Sequence, residues 1–260
     1  MPRYKLTIEY DGTPFQGWQR QDNGPTVQAA LEEAVKAFCG EEATLFVAGR
    51  TDTGVHAYAQ VAHLDLSVDY EPFKVMEAVN HHLKPEAIAI LSAERVADDF
   101  HARFQAVERG YIYRILNRRA PAVLDRDRVW RVPQPLDVEA MDRAAQALVG
   151  HHDFSSFRAA GCQANSPIKT VNRISVRRAL DEIVVEVEAP SFLYHQVRNI
   201  VGTLEKIGQW EAKRASGRAG KPGAYSWRAE DMASILEARD RSAAGPTAPA
   251  SGLYLAFVRY

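Results

Sequence analysis

Residues 4–12 read Tyr-Lys-Leu-Thr-Ile-Glu-Tyr-Asp-Gly, and the fold develops outward from this stretch. Aromatic or aliphatic side chains alternate with polar ones from Tyr4 to Tyr10, which is the period of a strand with one buried face. Asp11 and Gly12 then end the alternation with a pair that is typical of turns. The chain is therefore predicted to open with a half-buried β-strand and a tight turn.

A helix is predicted after the loop at 13–21, which carries the aromatic residues Phe15 and Trp18. Its apolar side chains recur with the helical period at Val27, Ala30, Leu31, Ala34, Val35 and Phe38. The pattern next predicts a strand at 45–48, a strand near 59–66, a helix at 72–82 and a strand at 87–96. The first half of the chain is thus expected to have the order β-α-β-β-α-β.

The second half shows a similar succession of patterns. It predicts a strand at 111–116, a helix at 138–149, strands at 167–179 and 182–189, a helix at 191–207 and a strand at 253–258. RNA-recognition folds use the same split βαβ order. The predicted class is therefore α+β, with two similar β-α-β-β-α-β halves, 1–105 and 106–260, that form antiparallel sheets flanked by helices.

Composition is that of an ordinary globular protein, and it excludes several kinds of chemistry. Hydrophobic residues make up 46% and charged residues 25% of the chain, and no apolar run approaches the roughly 20 residues of a membrane span. The N-terminus lacks the apolar core of a signal peptide, and Cys39 and Cys162 are too few for a disulfide framework or a zinc set. Phosphate-binding glycine loops, the serine nucleophile elbow and the paired-histidine zinc motif are absent. We therefore expect a cytoplasmic protein that uses no metal and no cofactor.

Charge is distributed unevenly, although the net charge is only −1. Residues 1–105 hold 9 basic and 16 acidic side chains, whereas residues 106–260 hold 23 and 17. Residues 103–131 are the densest basic stretch, with Arg103, Arg109, Arg114, Arg118, Arg119, Arg126, Arg128 and Arg131. Arginine suits bidentate phosphate contacts and stacking on bases. The asymmetry permits a central RNA-binding cleft on a nearly neutral protein, while a solvated charged face is the more ordinary explanation of such a run.

Asp52 is the carboxylate best suited to chemistry, because it lies in the turn-like stretch GRTDTGVHA at 49–57. The positive charge of nearby Arg50 favours the ionised form of a carboxylate, which is the form that acts as a nucleophile. An Asx-type turn, in which Asp52 only accepts backbone hydrogen bonds, explains these nine residues equally well.

Three further positions are candidates for a site. Tyr111 lies on a predicted strand in the arginine-rich stretch, where its ring either packs in the core or stacks on an extruded base. Arg198 lies close to the apolar face of a predicted helix, so it either extends to solvent or pairs with a carboxylate in a cleft. Leu253 belongs to a terminal Gly-Leu-Tyr-Leu strand that most simply forms part of the core.

The segment 211–223 interrupts the run between two predicted helices and is rich in small and basic residues. Such a composition predicts a mobile loop. This loop either contacts a phosphate backbone or is an inert insertion.

Several motifs, found in the same order, make the chain similar to the TruA-type tRNA pseudouridine synthases. GRTDTGVHA resembles the catalytic motif of that family, with Thr53 where the family usually has alanine. The likeness continues through YDGTPFQGWQRQ at 10–21, FHARF at 100–104, Tyr-Xaa-Tyr at 111–113, SFLYHQVRNIVGTL at 191–204 and GLYL at 252–255. The resemblance thus extends over most of the chain.

The resemblance implies a cofactor-free isomerisation of uridine to pseudouridine at positions 38, 39 and 40 of the tRNA anticodon stem-loop. It makes Asp52 the catalytic aspartate, Tyr111 the tyrosine that packs on the target base and Arg198 the ion-pair partner of the aspartate. It further implies that Arg50 helps to place the RNA and that Leu253 forms the apolar floor of the pocket. Proteins of this family resemble one another as homodimers, which is therefore the expected assembly.

Two other classes of function remain open from the residues themselves. A non-catalytic tRNA-binding module on the same fold needs the arginines but does not need Asp52. An aspartate-dependent glycosidase that acts on nucleic acid needs a second, acidic carboxylate beside the first, where this motif has an arginine.

Overall fold

The computed structural model describes all 260 residues, and they form two compact units. The first unit comprises Met1–Arg109 and Tyr254–Tyr260, and the second comprises Gly110–Leu253. The sequence-based division after residue 105 differs from this grouping chiefly at the C-terminus. The difference arises because residues 254–260 belong to a strand that pairs within the first unit.

The first unit has the predicted element order β-α-β-β-α-β. Its elements are β1 (Arg3–Tyr10), α1 (Val27–Cys39), β2 (Phe46–Val47), β3 (His56–Asp65), α2 (Pro72–Leu83) and β4 (Ile88–Val96). β1 lies between β3 and β4 and is antiparallel to both. Leu6, for example, lies opposite Ala62 on β3 and Ala93 on β4.

The alternation along β1 decides which of its side chains enter the core. The buried members are Tyr4, Leu6, Ile8 and Tyr10, each at most 3% exposed. Helix α2 contacts both β4 and α1, and the two helices bury Val27, Leu31, Val35, Val75 and Val79. Burial of each large aliphatic side chain stabilises the fold by about 1.5–3 kcal/mol, so this layer holds the unit together.

Local chemistry sets the ends of the two helices. The Thr26 hydroxyl caps α1 by accepting a hydrogen bond from the Ala29 amide at 3.3 Å. Gly40, with a φ of 78°, ends the same helix in the left-handed conformation that glycine adopts most easily. Pro72 occupies the first position of α2, where a missing amide hydrogen costs nothing.

The second unit contains more elements than the sequence pattern predicts. They are β5 (Glu108–Leu116), which begins at the boundary of the units, β6 (Trp130–Arg131), α3 (Val138–Gln146), β7 (Gly150–Asp153), β8 (Ile168–Val171), β9 (Arg173–Ala179), β10 (Glu182–Ala189), α4 (Gln196–Ala215) and α5 (Asp231–Glu237). Single 3₁₀ turns lie at Ser155–Phe157, Arg241–Ala243 and Ala250–Gly252. The α and β segments that were predicted for this half are present among them.

Several of these predicted segments have different bounds, and two differ substantially. The prediction of one strand at 167–179 is wrong, because β8 pairs with β7 whereas β9 pairs with β10, so the chain changes partner at Asn172. The helix predicted at 191–207 extends instead from Gln196 to Ala215, so residues 211–215 of the predicted loop 211–223 are helical. His195 precedes it with a φ of 60°, and a residue in the left-handed conformation cannot continue a right-handed helix.

Helix α4 is the buried centre of the second unit. Its apolar face is formed by Val197, Ile200, Val201, Leu204 and Ile207, each at most 4% exposed. Helix α3 packs against α4 and β9, and the Asp137 amide donates to the Gly208 carbonyl at 3.0 Å. Although α4 is the longest helix, neither it nor any other helix has the length and apolar character needed to cross a membrane.

The final strand, β11 (Leu253–Arg259), runs parallel to β3. Tyr254 lies opposite His56, and Leu255 lies opposite Ala57. The expectation of purely antiparallel sheets is therefore wrong. Parallel neighbours require a long connection, and here the connection between β3 and β11 includes α2, β4 and the whole second unit. The α+β class is confirmed.

Candidate active site

Asp52 begins a tight turn that leads into β3. Its carbonyl oxygen accepts a hydrogen bond from the Val55 amide at 3.1 Å, and Gly54 has a φ of 75°. A turn of this type needs a positive φ at its third residue, which explains the glycine. The Asp52 side chain is half-buried and Arg50 is exposed. The turn thus offers one carboxylate at the edge of the first unit's sheet.

The loop after β1 holds this turn through its backbone. The Trp18 amide donates to the Thr51 carbonyl at 3.0 Å, and the Gly54 amide donates to the Phe15 carbonyl at 3.3 Å. Gly17 has a φ of 89°, and a Cβ there would lie 2.7 Å from the Thr51 oxygen. The aromatic loop that the sequence singles out therefore supports the Asp52 backbone from both sides.

A set of buried polar contacts fixes the residues that precede Asp52. The Tyr10 hydroxyl and Thr51 Oγ1 are 2.7 Å apart, and Gln60 Nε2 donates to the Gly49 carbonyl at 2.8 Å. Burial raises the pKa of Tyr10 to about 12, so this hydroxyl keeps its proton at neutral pH. Arg109 Nη2 donates to the Ala48 carbonyl at 3.0 Å. Three of the four residues before Asp52 are therefore held, Ala48 and Gly49 through their carbonyls and Thr51 through its hydroxyl.

His56 lies behind the turn at the start of β3. Its Nδ1 accepts a hydrogen bond from the Gly12 amide at 3.0 Å, and only 2% of the side chain is exposed. The imidazole stacks on the Tyr254 ring, with 4.6 Å between ring centres. Tyr254 also stacks on Tyr58, with 4.7 Å between ring centres. This arrangement ties the turn to β11, the last strand of the same unit.

In the second unit, Tyr111 and Tyr113 lie on the same face of β5 but in different environments. Tyr113 is fully buried, and its hydroxyl donates to the Pro249 carbonyl at 2.7 Å. Burial raises its pKa well above the ordinary value. Tyr111 is only half-buried, and the Phe192 ring meets it edge to face at 5.1 Å. Tyr113 is therefore a core residue, whereas Tyr111 keeps accessible ring surface.

Arg198 is held in a defined orientation at the start of α4. Its Nε donates to the Ala248 carbonyl at 2.7 Å, and its Nη1 lies 3.1 Å from His195 Nε2. The His195 ring stacks on exposed Tyr194 at 3.8 Å. These contacts show an arginine with a fixed guanidinium plane, which is the geometry that suits a directed ion pair.

Loop 190–195 connects Tyr111 with Arg198, because it supplies Phe192 to the first and His195 to the second. The loop is itself fixed, since Gln196 Oε1 accepts from the Leu193 amide at 2.8 Å. Sequence reasoning missed these supporting roles, together with those of Tyr10, Gln60 and Arg109. For the loop residues, the only local signal was the dense pattern of aromatic and polar residues near 191–196.

Leu253 is the first residue of β11 and is 6% exposed. Gly252 before it lies against Tyr113, since a Cβ there would be 2.6 Å from the tyrosine ring. Leu253 is thus packed in the second unit, and the structure leaves its predicted role as a pocket floor untested.

The predicted site residues fall into two groups. Asp52 and Arg50 lie together on the turn of the first unit, whereas Tyr111, Arg198 and Leu253 belong to the second. Within each unit, no group of three or more His, Cys, Asp or Glu side chains is arranged to hold a metal ion. The first unit therefore carries the Asp52 carboxylate, and the second carries the Tyr111 ring and the fixed guanidinium of Arg198.

The comparison with known families gives the class of protein to which this α+β fold belongs, an RNA-modifying enzyme. The family profile described as tRNA pseudouridine synthase matches residues 6–105 and 144–260. The chain belongs to the tRNA pseudouridine synthase family. This result confirms the resemblance that the sequence motifs indicated.

Individual relatives are similar over essentially the whole chain. A protein named tRNA pseudouridine synthase A from Paramagnetospirillum magneticum is 56% identical over 260 residues, which covers 100% of this chain and 96% of the relative. The protein of the same name from Rhodospirillum centenum is 58% identical and covers 98% of each chain. That from Xanthobacter autotrophicus is 55% identical, with 100% of each chain covered.

Proposed function

We propose that this protein is an isomerase that converts uridine to pseudouridine at positions 38, 39 and 40 of the tRNA anticodon stem-loop, with Asp52 as its catalytic group and no cofactor. The observation that carries this proposal is the Asp52 turn, which the loop after β1 and the buried contacts of Tyr10 and Gln60 hold in place. Fixed placement matters, because a reacting carboxylate gains its rate from being held close to its target.

The reaction moves a base without losing it. The N1–C1′ glycosidic bond breaks, the uracil turns, and a new bond forms between C5 and C1′. The C5 hydrogen leaves as a proton and N1 takes one up, so the product is an isomer of the substrate. Asp52 has three ways to assist: attack at C6 of the uracil, attack at C1′ of the ribose, or removal of a ribose proton. An apolar pocket assists each route by keeping the freed base beside the sugar.

The other site residues are proposed to hold the target nucleotide. The accessible ring of Tyr111, braced by Phe192, is suited to stack on an extruded uracil. The fixed guanidinium of Arg198 is suited to form an ion pair with Asp52. Arg50, which is exposed beside the turn, is suited to contact the RNA, and Leu253 to bound the base from below. Extrusion costs a few kcal/mol, and least near a loop, which favours anticodon stem-loop uridines.

Two broader features belong to the same proposal. Family resemblance supports a homodimer as the active assembly, and the cytoplasm, where tRNA is modified, as its location. The non-catalytic alternative, a tRNA-binding module, makes no use of a carboxylate supported on so many sides.

The test is release of tritium from an anticodon stem-loop RNA labelled at uracil C5, with uridine at 38, 39 and 40. Formation of the C5–C1′ bond must expel this label into water. Wild type is compared with Asp52→Asn, which preserves the shape of the side chain, and with Asp22→Asn, which removes an exposed carboxylate elsewhere. We expect release by wild type and by Asp22→Asn, and none by Asp52→Asn.

Other outcomes contradict the proposal in different ways. Equal release by Asp52→Asn removes the catalytic role of this carboxylate. Free uracil among the products identifies a glycosidase. RNA binding without any release by wild type identifies a non-catalytic binding module.

A further inference from the structure

We propose that residues 213–228, called here the basic segment, form an accessory surface that binds the phosphate backbone of tRNA away from the reacting uridine. This inference rests on the proposed function for the identity of the RNA. It assigns a role to the stretch after α4, which the proposed catalytic site does not use.

The charge of the basic segment is entirely of one sign. It contains Lys213, Arg214, Arg218, Lys221 and Arg228, and residues 212–229 include no aspartate or glutamate. Every residue from 213 to 225 is exposed. Glu211 and Glu230 flank the segment, so five positive and two negative side chains leave a local excess of three positive charges, which attracts a polyanion.

Several cations elsewhere in the same unit are paired with carboxylates, whereas three of the five in the basic segment are not. On the β9–β10 hairpin, Arg173 is 3.4 Å from Glu188 and Arg177 is 3.0 Å from Glu186. In the basic segment, Glu211 contacts Arg214 at 2.7 Å, and Arg228 lies 3.5 Å from Glu230 and 3.9 Å from Glu211. No carboxylate lies within 4 Å of Lys213, Arg218 or Lys221, which are the residues left to bind an external anion.

The backbone of the basic segment forms two hydrogen-bonded turns. Gly217 has a φ of 68°, the Gly217 amide donates to the Arg214 carbonyl at 3.0 Å, and the Arg218 amide donates to the Lys213 carbonyl at 2.9 Å. This pair of bonds is the Schellman motif that ends many helices. A second turn follows, in which the Ser226 amide donates to the Gly223 carbonyl at 3.1 Å. The backbone that carries Lys213, Arg214 and Arg218 is therefore held in a defined turn, although the side chains themselves are exposed.

An aromatic pair lies among these cations. The Tyr225 ring is 45% exposed and meets Trp227 edge to face at 5.1 Å, while Lys206 Nζ lies 6.0 Å from its centre. Exposed aromatic rings interleaved with lysine and arginine are typical of surfaces that bind nucleic acid, because the rings stack on bases or sugars while the cations contact phosphates. RNA is therefore the partner that fits both features.

Helix α4 sets the distance between the basic segment and the proposed site. Lys213 lies fifteen residues beyond Arg198 on this helix, which corresponds to roughly 22 Å at a rise of about 1.5 Å per residue. The two residues cannot contact the same nucleotide. If Arg198 acts at the target uridine, the basic segment binds the tRNA at a second place.

The test compares intact tRNA with the isolated anticodon stem-loop as ligands and substrates. The test variant carries Lys213→Gln, Arg218→Gln and Lys221→Gln, and a control variant carries Lys36→Gln, Lys74→Gln and Lys84→Gln. All six positions are exposed and lie outside the proposed catalytic machinery, so both variants lose three charges and are expected to fold. Affinity is measured against salt concentration, and turnover by tritium release.

We expect the test variant to bind intact tRNA on the order of tenfold more weakly at about 100 mM salt, with a slope of log K against log salt that is smaller by about 2 to 3. Its affinity for the stem-loop and its turnover at saturating tRNA should equal those of wild type, and the control variant should match wild type throughout.

An unchanged tRNA affinity in the test variant overturns the inference and leaves an inert insertion, or a surface for another partner. Equal losses for tRNA and stem-loop overturn the claim of a second, distant contact. Failure of the proposed function is a separate result, because it appears as absence of tritium release by wild type whatever the binding curves show.

Discussion

Gly17 and Gly40 both have a positive φ, but only Gly17 lies against the Asp52 turn. Gly17 approaches the Thr51 carbonyl so closely that any side chain would press into it, and its own φ of 89° is unfavourable for other residues. Gly40 has a similar φ of 78°, but a Cβ at that position would have nothing within 4 Å. The pair separates the effect of backbone conformation from the effect of contact with the Asp52 turn.

We therefore expect Gly17→Ala to reduce tritium release strongly and to lower the free energy of unfolding by about 2–4 kcal/mol, because strain and a backbone clash act together. Gly40→Ala, which suffers only the unfavourable left-handed conformation of about 1–2 kcal/mol, should retain activity. Urea denaturation and the tritium assay measure both effects. Equal activity in the two variants would show that the Gly17 contact does not position the turn.

His63 is a second residue whose surroundings have a measurable consequence. It is 1% exposed, and its Nδ1 accepts a hydrogen bond from the Ala102 amide at 3.2 Å. Burial, assisted by the charges of Arg3 and His101, lowers its pKa from 6.5 to about 4, against a smaller opposing effect of Asp65. Between these values the unfolded chain binds a proton that the folded protein does not bind, so acidification must destabilise the fold.

We expect the free energy of unfolding to fall by about 1.5 kcal/mol through His63 alone when the pH is lowered from about 6.5 to about 5. His63→Asn keeps an acceptor for the Ala102 amide but cannot titrate, so its stability should decline less over the same interval. Urea unfolding at the two pH values measures the difference. Parallel declines in wild type and variant would contradict this assignment.

At the scale of whole elements, α4 is positioned by an unusually close approach to the chain before β11. The Thr203 hydroxyl accepts from the Gly245 amide at 2.9 Å, and the Ala248 amide donates to the Arg198 carbonyl at 3.1 Å. A Cβ on Gly202 would lie far inside contact distance of the Pro246 carbonyl. The same chain segment supplies the Ala248 carbonyl, which accepts a hydrogen bond from the Arg198 side chain. The packing of α4 therefore also determines the orientation of Arg198.

Gly202→Ala should consequently destabilise the protein by about 3 kcal/mol or more, because backbone must move. Gly208→Ala on the same helix is the matched control. A Cβ there would meet the flexible Met141 side chain, with Sδ at 2.7 Å, and alanine also favours the helix by up to about 1 kcal/mol. Its net effect should stay within about 1 kcal/mol, as measured by urea unfolding. Similar losses of unfolding free energy in both variants would show that the close contact between Gly202 and Pro246 does not set the cost of a side chain at residue 202.

Elements defined by their own side chains were predictable, and those defined by distant contacts were not. Strand β1 follows from alternation between Tyr4 and Tyr10, and α1 from its apolar period and the Gly40 end. The start of α4 did not follow, because loop 190–195 depends on contacts such as that between the Tyr194 amide and Cys162 Sγ at 3.4 Å. The parallel placement of β11 depends on β3, far away in the sequence.

The candidate site divides in the same way. The turn at Asp52 could be predicted, because Gly54 supplies the positive φ locally. The contacts of Tyr10 and Gln60 that hold this turn could not be predicted, because these residues come close to it only in the folded sheet. The association of Phe192 with Tyr111 likewise depends on strand and loop meeting in the folded unit.

At the scale of the whole molecule, a net charge of −1 provides no general attraction for a polyanion. RNA binding must therefore come from local clusters, of which the arginines of residues 103–131 and the basic segment are the densest. Charges separated by more than a Debye length of about 10 Å at 0.1 M salt act almost independently. Each cluster therefore attracts nearby phosphates even though the total charge is near zero.

Binding through such clusters releases counterions from the RNA, so affinity must depend steeply on salt. For about six phosphate contacts, shared between the two clusters, we expect tRNA affinity to fall on the order of a thousandfold between about 50 and 200 mM salt. Fluorescence anisotropy with labelled tRNA measures this fall, and Asp52→Asn should show the same slope as wild type because its carboxylate is proposed to act on a base or sugar. A flat curve for wild type would mean that phosphate contacts contribute little, and the arginine-rich stretch would then be an ordinary solvated face even in an active enzyme.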